Sequence, residues 1–320
     1  MCLGGKEIKL TNKEKIPYHK PFPLDEDRLN VLTNQIRGVL KSGQLTNGKY
    51  VKELEDKIAK MYGVEFCIAT SNCTMGLMLS FQYEVSLFNI IHMPNFTWMS
   101  PEMVIPNKKA YYDIDKETWL MKDWPRIRNK FIFPTHTFGN IIELDWDYHV
   151  IYDGAHALGS VIKKFGDATV LSLAPSKLVT SCEGGLVLTN QEHLAEFVRF
   201  RRDKCARMSE VHALIGLKTL EHLGEILEWK EEVYHYYKYY IPGQFQEIPI
   251  HSNYNTIGFL NTEKLEIPKH IETKQYYEPV FDMELMPNAF EVYKQMVCLP
   301  SYYECPYVQI VEDILELNES

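Results

Sequence analysis

Lys177 follows the run Ala168-Thr169-Val170-Leu171-Ser172-Leu173 after a short break, Ala174-Pro175-Ser176. A lysine enclosed at the end of a strand is stripped of water, loses part of its hold on the proton, and becomes an amine able to form a Schiff base. Most lysines are solvated surface groups, so position alone does not fix its use. Asp153 closes another apolar run, His149-Val150-Ile151-Tyr152-Asp153, and His156 lies three residues on. A carboxylate there faces a crevice: it can hold a metal, act as a base, hold a proton on a ring nitrogen, or simply cap the next turn. Thr70-Ser71-Asn72-Cys73-Thr74 separates a strand-like run from an apolar helix. Amides at a helix N-terminus with hydroxyls beside them make a phosphate cup; Ser, Asn and Thr are equally the ordinary helix caps.

In combination these segments form the parts of a pyridoxal phosphate site. The cofactor needs a lysine for the Schiff base, a carboxylate that keeps its pyridine nitrogen protonated, and a grip on its phosphate. It also needs a ring against its face. Trp98, in Pro94-Asn95-Phe96-Thr97-Trp98, has the right type, its plainer reading being a packed core aromatic. Gly184-Gly185 lets backbone pass close to a ligand.

Such a site requires strands that end on a common edge. The segments 64–69, 110–114, 130–134, 149–153, 168–173 and 185–189 have strand character, with helical or loop stretches between them. Alternation of this kind predicts an α/β fold with a mostly parallel sheet covered on both faces. Its ligand crevice lies beyond the carboxyl ends of the strands. Before it, a helix is expected after Leu24, where Asp25, Glu26 and Asp27 suit a first turn, ending near Gly43. A second amphipathic helix contains Val51, Leu54 and Ile58, with Gly63 as its C-cap. Residues 1–24 read as an irregular arm, 25–206 as a large cofactor-binding domain, and 207–320 as a long bridging helix plus a small C-terminal α+β domain.

Composition narrows the class further. The 320 residues are 45% hydrophobic and 24% charged, as in ordinary globular chains. A net charge of -9 disfavours nucleic acid as a partner. No apolar run reaches the roughly 20 residues of a membrane helix, and the opening residues lack the apolar core of a signal peptide. Seven cysteines, with no C-x-x-C pair, point to free thiols in a reducing cytoplasm rather than to disulfides or a zinc site.

The chain resembles the DegT/DnrJ/EryC1/StrS sugar aminotransferases, pyridoxal-phosphate enzymes of fold type I, nearly end to end. The resemblance is carried by Ser42-Gly43-Gln44-Leu45-Thr46-Asn47-Gly48, by residues 70–77 at the family's phosphate turn, and by Pro134-Thr135-His136-Thr137-Phe138-Gly139. Its most specific parts are Asp153-Gly154-Ala155-His156-Ala157-Leu158-Gly159, Gly166-Asp167-Ala168, residues 172–177 and Glu183-Gly184-Gly185. Arg207-Met208-Ser209-Glu210 and Cys298-Leu299-Pro300 continue it.

This resemblance implies that Lys177 is the Schiff-base lysine and proton carrier. Asp153 would pair with the pyridine nitrogen and His156 would lie near the ring hydroxyl. Cys73, Thr74 and Ser172 would bind the phosphate, and Trp98 would stack on the ring. It further implies a homodimer with active sites at the subunit interface, a nucleotide-linked keto-sugar as acceptor, and an amino acid, glutamate being expected, as donor. Two positions depart from the family pattern: Cys73 replaces a glycine of the phosphate turn, and Cys205 falls where relatives carry an asparagine that reaches the partner's cofactor. The segment after Arg202 is also short. The basic group Arg199, Arg201, Arg202, Lys204 and Arg207 reads as a solvated helix face, or as a contact for a substrate diphosphate. A dehydratase of the same family would have a histidine in place of Lys177, and a cysteine desulfurase would have one in place of Ser176. A cofactor-binding sensor is the non-enzymatic alternative.

Overall fold

The computed structural model describes residues 14–21, 23–84, 88–126, 128–145, 148–250, 252–281 and 284–319. Most of the expected arm, with Cys2, lies outside them. Asp25 opens helix α1 (Glu26–Ser42) by accepting the Arg28 amide at 2.8 Å, with Glu26 and Asp27 at the positive end of the helix dipole. Helix α2 (Lys49–Tyr62) buries Val51, Leu54 and Ile58 on one face. Gly43 and Gly63 close the two helices as expected. The chain then alternates through β1 (Phe66–Thr70), α3 (Cys73–Glu84), β2 (Ile90–Pro94), α4 (Ser100–Val104), β3 (Lys108–Tyr112), β4 (Phe131–Ile132), β5 (His149–Gly154), β6 (Ala168–Ser172) and β7 (Gly185–Thr189). There follow α5 (Glu192–Cys205), α6 (Glu210–Leu220), α7 (Leu223–Tyr240), β8 (Gln244–Phe245), β9 (Ile257–Leu260), α8 (Pro287–Gln295), β10 (Met296–Leu299) and α9 (Tyr307–Asn318).

The large sheet has the order β1-β7-β6-β5-β4-β2-β3. Neighbours run parallel except β7, which is antiparallel to both β1 and β6. Period-two alternation sorts its side chains between two cores. Cys67, Ala69, Leu171, Leu186 and Leu188 face α2 and α6, whereas Ile68, Val170 and Val187 join the core under α3 and α5. Burial on both faces is why these strands read as nearly unbroken apolar runs. Strand β2 was not among the expected strands: it is five residues long, carries His92 in its middle and ends on Pro94.

The register decides where the site falls. Thr70 and Ser172 both lie opposite Gly185, so the ends of β1 and β6 meet the start of β7 on one edge of the sheet. A Cβ on Gly185 would stand 2.5 Å from the Asn72 carbonyl carbon and 2.7 Å from Cys73 Cα. Only glycine allows the turn after β1 to pack this closely on β7.

The long helical stretch expected after Arg207 is two helices, broken at Glu221-His222. Met208, Ala213 and Leu217 belong to the core that holds α2, as do Leu223 and Ile226 at the start of α7. Val233, Tyr234 and Tyr237 enter a separate core with β9 and α9. Helix α7 thus spans both cores, and a three-stranded antiparallel sheet, β10-β9-β8, organises the second. The described part of the arm bridges to it through Ile16 and Ile271.

The Arg207-Met208-Ser209-Glu210 segment has a structural duty. Ser209 caps α6 by accepting the His212 amide at 3.1 Å. Buried Glu210 accepts the amides of Gly48, Tyr50 and Val51 at 2.8–3.0 Å, supplying the cap that the N-terminus of α2 lacks. Glu210→Ala would leave three amides unpaired and is expected to cost about 3 kcal/mol of stability. The midpoint of urea unfolding measures this, and an unchanged midpoint would show that the cap is dispensable.

Among the described residues no helix is long and apolar enough to cross a membrane, and no group of three or more His, Cys, Asp or Glu could hold a metal ion.

Candidate active site

Lys177 sits on the loop after β6 and its side chain enters a cavity of about 370 Å³. Burial pushes its ammonium down to about 8, against the opposing pull of Cys73 and Asp153. No described group accepts a hydrogen bond from its Nζ. Asp153, near the end of β5, reaches the same cavity. One carboxylate oxygen takes the Ala155 amide at 3.0 Å; the other has no described partner. Burial raises the Asp153 pKa, with the Ala155 amide and Lys177 acting in the other direction. This is a carboxylate whose charge awaits a cationic complement, because a buried unpaired anion is costly.

Cys73 and Thr74 begin α3, and their amides bond no described residue. Asn72 caps the helix instead, accepting the Met75 amide at 2.8 Å. The phosphate-cup and helix-cap readings of this turn therefore coexist: Asn72 is the cap, and the first amides remain open. The Cys73 thiol, raised far above its usual range by burial, turns toward the Val170 carbonyl at 3.8 Å. Ser172, opposite Gly185, has its Oγ within 3.3 Å of the Ala174 amide.

His156 follows Asp153 by one turn and is held by Asn253 and Tyr277, about a hundred residues further along the chain. Its carbonyl accepts the Asn253 amide group at 2.6 Å, and its Nδ1 lies 3.0 Å from the Tyr277 hydroxyl. Burial first, then Lys177 and Lys230, hold it well below its ordinary pKa, so the ring is neutral. Gly139 makes this junction close. It adopts φ 97°, and a Cβ there would stand 1.9 Å from Asn253 Oδ1. Trp98 is 55% exposed at the rim, its ring meeting Tyr277 edge-on at 6.1 Å; it is not a packed core aromatic.

All seven residues singled out in the sequence therefore line one cavity. Thr135 and His136 after β4, quoted above without a role, join them, and others went unnoticed: Tyr18 and His19 from the arm, Lys230 on α7, and Tyr277. His136 accepts the Ile142 amide at Nδ1, and its Nε2 is buried with no partner. Burial lowers it to about 3, so Nε2 carries its hydrogen as a neutral donor. The motif around Gly139 was a signal for His136, whereas Lys230 and Tyr277 lie in stretches that read as solvated helix and loop. A wider depression of about 920 Å³ on the smaller domain is lined by Lys264, Lys274, Lys294 and other surface groups. It gathers no buried titratable residue, and the chemistry belongs to the smaller cavity.

The basic group on α5 needs correction. Arg202 is buried, not solvated: it meets Glu55 at 3.1 Å, Asp203 at 2.8 Å and the Ala69 carbonyl at 3.2 Å, tying α5 to α2 and β1. Arg199, Arg201 and Lys204 lie over Phe66, Phe197 and Phe200. None of the five lines the cavity. Cys205 is exposed at the end of α5, its thiol 3.4 Å from the Arg201 carbonyl.

The donor set fits pyridoxal phosphate. A desolvated amine, a buried half-satisfied carboxylate and open helix N-terminal amides converge on one cavity. The comparisons agree. The DegT/DnrJ/EryC1/StrS aminotransferase family matches residues 27–257. The GDP-perosamine synthase of Escherichia coli O157:H7 is 26% identical over 86% of this chain and 91% of its own. The UDP-4-amino-4-deoxy-L-arabinose--oxoglutarate aminotransferase of Shewanella sediminis is 27% identical over 71% and 69%. In fold, a solved sugar aminotransferase of Streptococcus pneumoniae in its PMP form superposes with a TM-score of 0.81 at 18% identity, covering 95% of this chain and 98% of that one. The chain belongs to the DegT/DnrJ/EryC1/StrS aminotransferase family and is a pyridoxal-phosphate-dependent aminotransferase of fold type I.

Proposed function

We propose that the protein transfers an amino group from glutamate to a keto-deoxysugar carried on a nucleotide. The observation that carries this reading is the convergence of Lys177 and Asp153 in a cavity whose floor is the amide-lined turn before α3. Two relatives bear names of enzymes acting on GDP- and UDP-linked sugars, one of them with oxoglutarate. When bound, pyridoxal phosphate supplies an aldehyde carbon that takes up amines and a ring that withdraws electrons from the carbon losing its proton. Lys177, neutral for part of the time because it is buried, would be the amine that holds the cofactor and the group that carries the proton. Asp153 would hold a proton at the ring nitrogen, and neutral His156, fixed by Tyr277 and Asn253, would serve the ring hydroxyl. The amides of Cys73 and Thr74, with the Thr74 and Ser172 hydroxyls, bind the phosphate. Trp98, at the rim, would cover the ring.

The functional unit in this reading is a cytoplasmic homodimer. Six described cysteines are unpaired, in keeping with a reducing compartment. Trp98, Met99 and Met103 are exposed beside the cavity, which suits a covering partner. The division into an arm to residue 24, a body of 25–206 and a bridge with small domain over 207–320 is retained as our proposal, with the change of core inside α7.

A panel of nucleotide-linked keto-deoxysugars incubated with glutamate, read by mass spectrometry, tests the substrate class. An aminated sugar nucleotide with matching 2-oxoglutarate is the expected product, and its absence across the panel would sink the assignment. Cys205 yields a finer expectation. A thiol is a poor donor, and a missing hydrogen bond to a charged phosphate weakens binding by about tenfold. Cys205→Asn is therefore expected to bind the cofactor more tightly; equal dissociation constants would show that Cys205 does not face the partner's phosphate.

A further inference from the structure

Lys230 is a second lysine in the active-site cavity, and nothing in the proposed chemistry uses it. It projects from α7, is 7% exposed, and donates to the Asn255 carbonyl at 3.0 Å and to Ser301 Oγ at 2.7 Å. Both acceptors are neutral. An ammonium has three N–H donors, and no described atom takes the third. No carboxylate lies within 4 Å of its Nζ among the described residues. Among the described residues, the only acidic ones lining the cavity are Asp153 and Glu183, and Lys177 is the only other cationic chain besides histidines.

A buried cation without a counter-ion is costly, and a structure tolerates one where a ligand completes it. His19 points the same way. It lines the cavity with Lys230; its ring bonds the Pro175 backbone, and its Nε2 is out of solvent with no partner among the described residues. Tyr18, Ser301 and Tyr302 add hydroxyl groups nearby. We propose that Lys230, with His19 beside it, is the carboxylate-binding site for the dicarboxylic amino donor. The proposal deepens the reading of the protein as a glutamate-dependent transferase and rests on it.

Position favours the donor over the sugar nucleotide's diphosphate. Lys177, Lys230, His19 and His156 line one cavity, and after burial itself the two ammonium charges help to depress both imidazoles. An amino acid carries its carboxylates within a few bonds of its amine, whereas a diphosphate is separated from the reacting carbon by the sugar ring. Burial lowers Lys230 to about 8, so it remains mainly charged at neutral pH, and a bound carboxylate would strengthen its hold on the proton.

The test is calorimetric titration of the holoenzyme with glutarate, a dicarboxylate that cannot be transaminated, and with UDP. Wild type is compared with Lys230→Met, Lys230→Gln and Lys230→Arg. Glutamine can still donate to Asn255 and Ser301, which separates loss of charge from loss of the tether, and thermal melting reports folding. The expected result is that Met and Gln weaken glutarate by at least about tenfold, the worth of a charge-assisted hydrogen bond. Arg retains binding, and UDP affinity is unchanged in all. Unaltered glutarate binding in folded Lys230→Gln would overturn the proposal. So would a wild type that does not bind glutarate, or variants that lose UDP in its place. Glutarate binding that depends on Lys230 in a protein that aminates no sugar would uphold the site and reject the wider function.

Discussion

Lys177→Ala is expected to abolish transamination while leaving the fold intact. The side chain makes no hydrogen bond to a described residue, so removing it frees no partner. What disappears is the amine itself, and no other described group with the same reach replaces it. General acid–base transfer by a positioned group is worth about 10²–10⁴-fold, and the attachment point for the cofactor is lost as well. In the natural protein, borohydride should fix the cofactor to Lys177, visible as one modified peptide. A reduced adduct on Lys230 would reverse the roles of the two lysines. The pH dependence has a definite sign. Only the neutral amine attacks an aldehyde, and Lys177 loses its proton at about 8. Capture of pyridoxal phosphate by the cofactor-free protein should therefore quicken as pH rises toward 8 and level off above it. A rate that falls over this interval would place the attacking amine elsewhere.

The second large effect belongs to Asp153. Asp153→Asn keeps the shape of the group and an oxygen for the Ala155 amide, but not the charge. An opposite charge beside a nitrogen favours its protonated form, so the variant should bind cofactor yet hold the ring proton poorly. The C–H proton transfer should then slow by at least about a hundredfold, close to 3 kcal/mol of barrier. Single-turnover rates with deuterated glutamate measure this step directly. A larger isotope effect with the slower rate is expected. Turnover near that of the natural protein would mean that another group holds the proton, and His136 Nε2, buried with its hydrogen and without a partner, is itself a donor and cannot.

Much of this was legible in the chain. Period-two and continuous apolar runs set the strands, since a strand buried on both faces has no other composition open to it. Asp25 and the glycines 43 and 63 fixed helix ends, because capping is a local matter of one side chain or one dihedral angle. Lys177, Asp153, His156, Cys73, Thr74, Ser172 and Trp98 could be named because each follows a strand end or a helix start, and those ends share one edge in an open α/β sheet. Strand β2 escaped because a histidine and a terminal proline hide its pattern. Arg202 was misread because a helix-surface spacing says nothing of the Glu55 that comes to meet it from α2.

The sequence by itself determined most strands of the sheet, the order of the motifs and the candidate groups of the site, all properties carried within a few neighbouring residues. The tertiary structure alone decided what surrounds them. It brought Lys230, Tyr277 and His19 from helix, loop and arm into one cavity, set the Cys73 thiol near the Val170 carbonyl, and gave Glu210 to a helix 160 residues distant. Burial is the physical reason: charge state, hydrogen-bond need and pKa depend on which atoms exclude water from a group, and those atoms come from segments far apart in the chain.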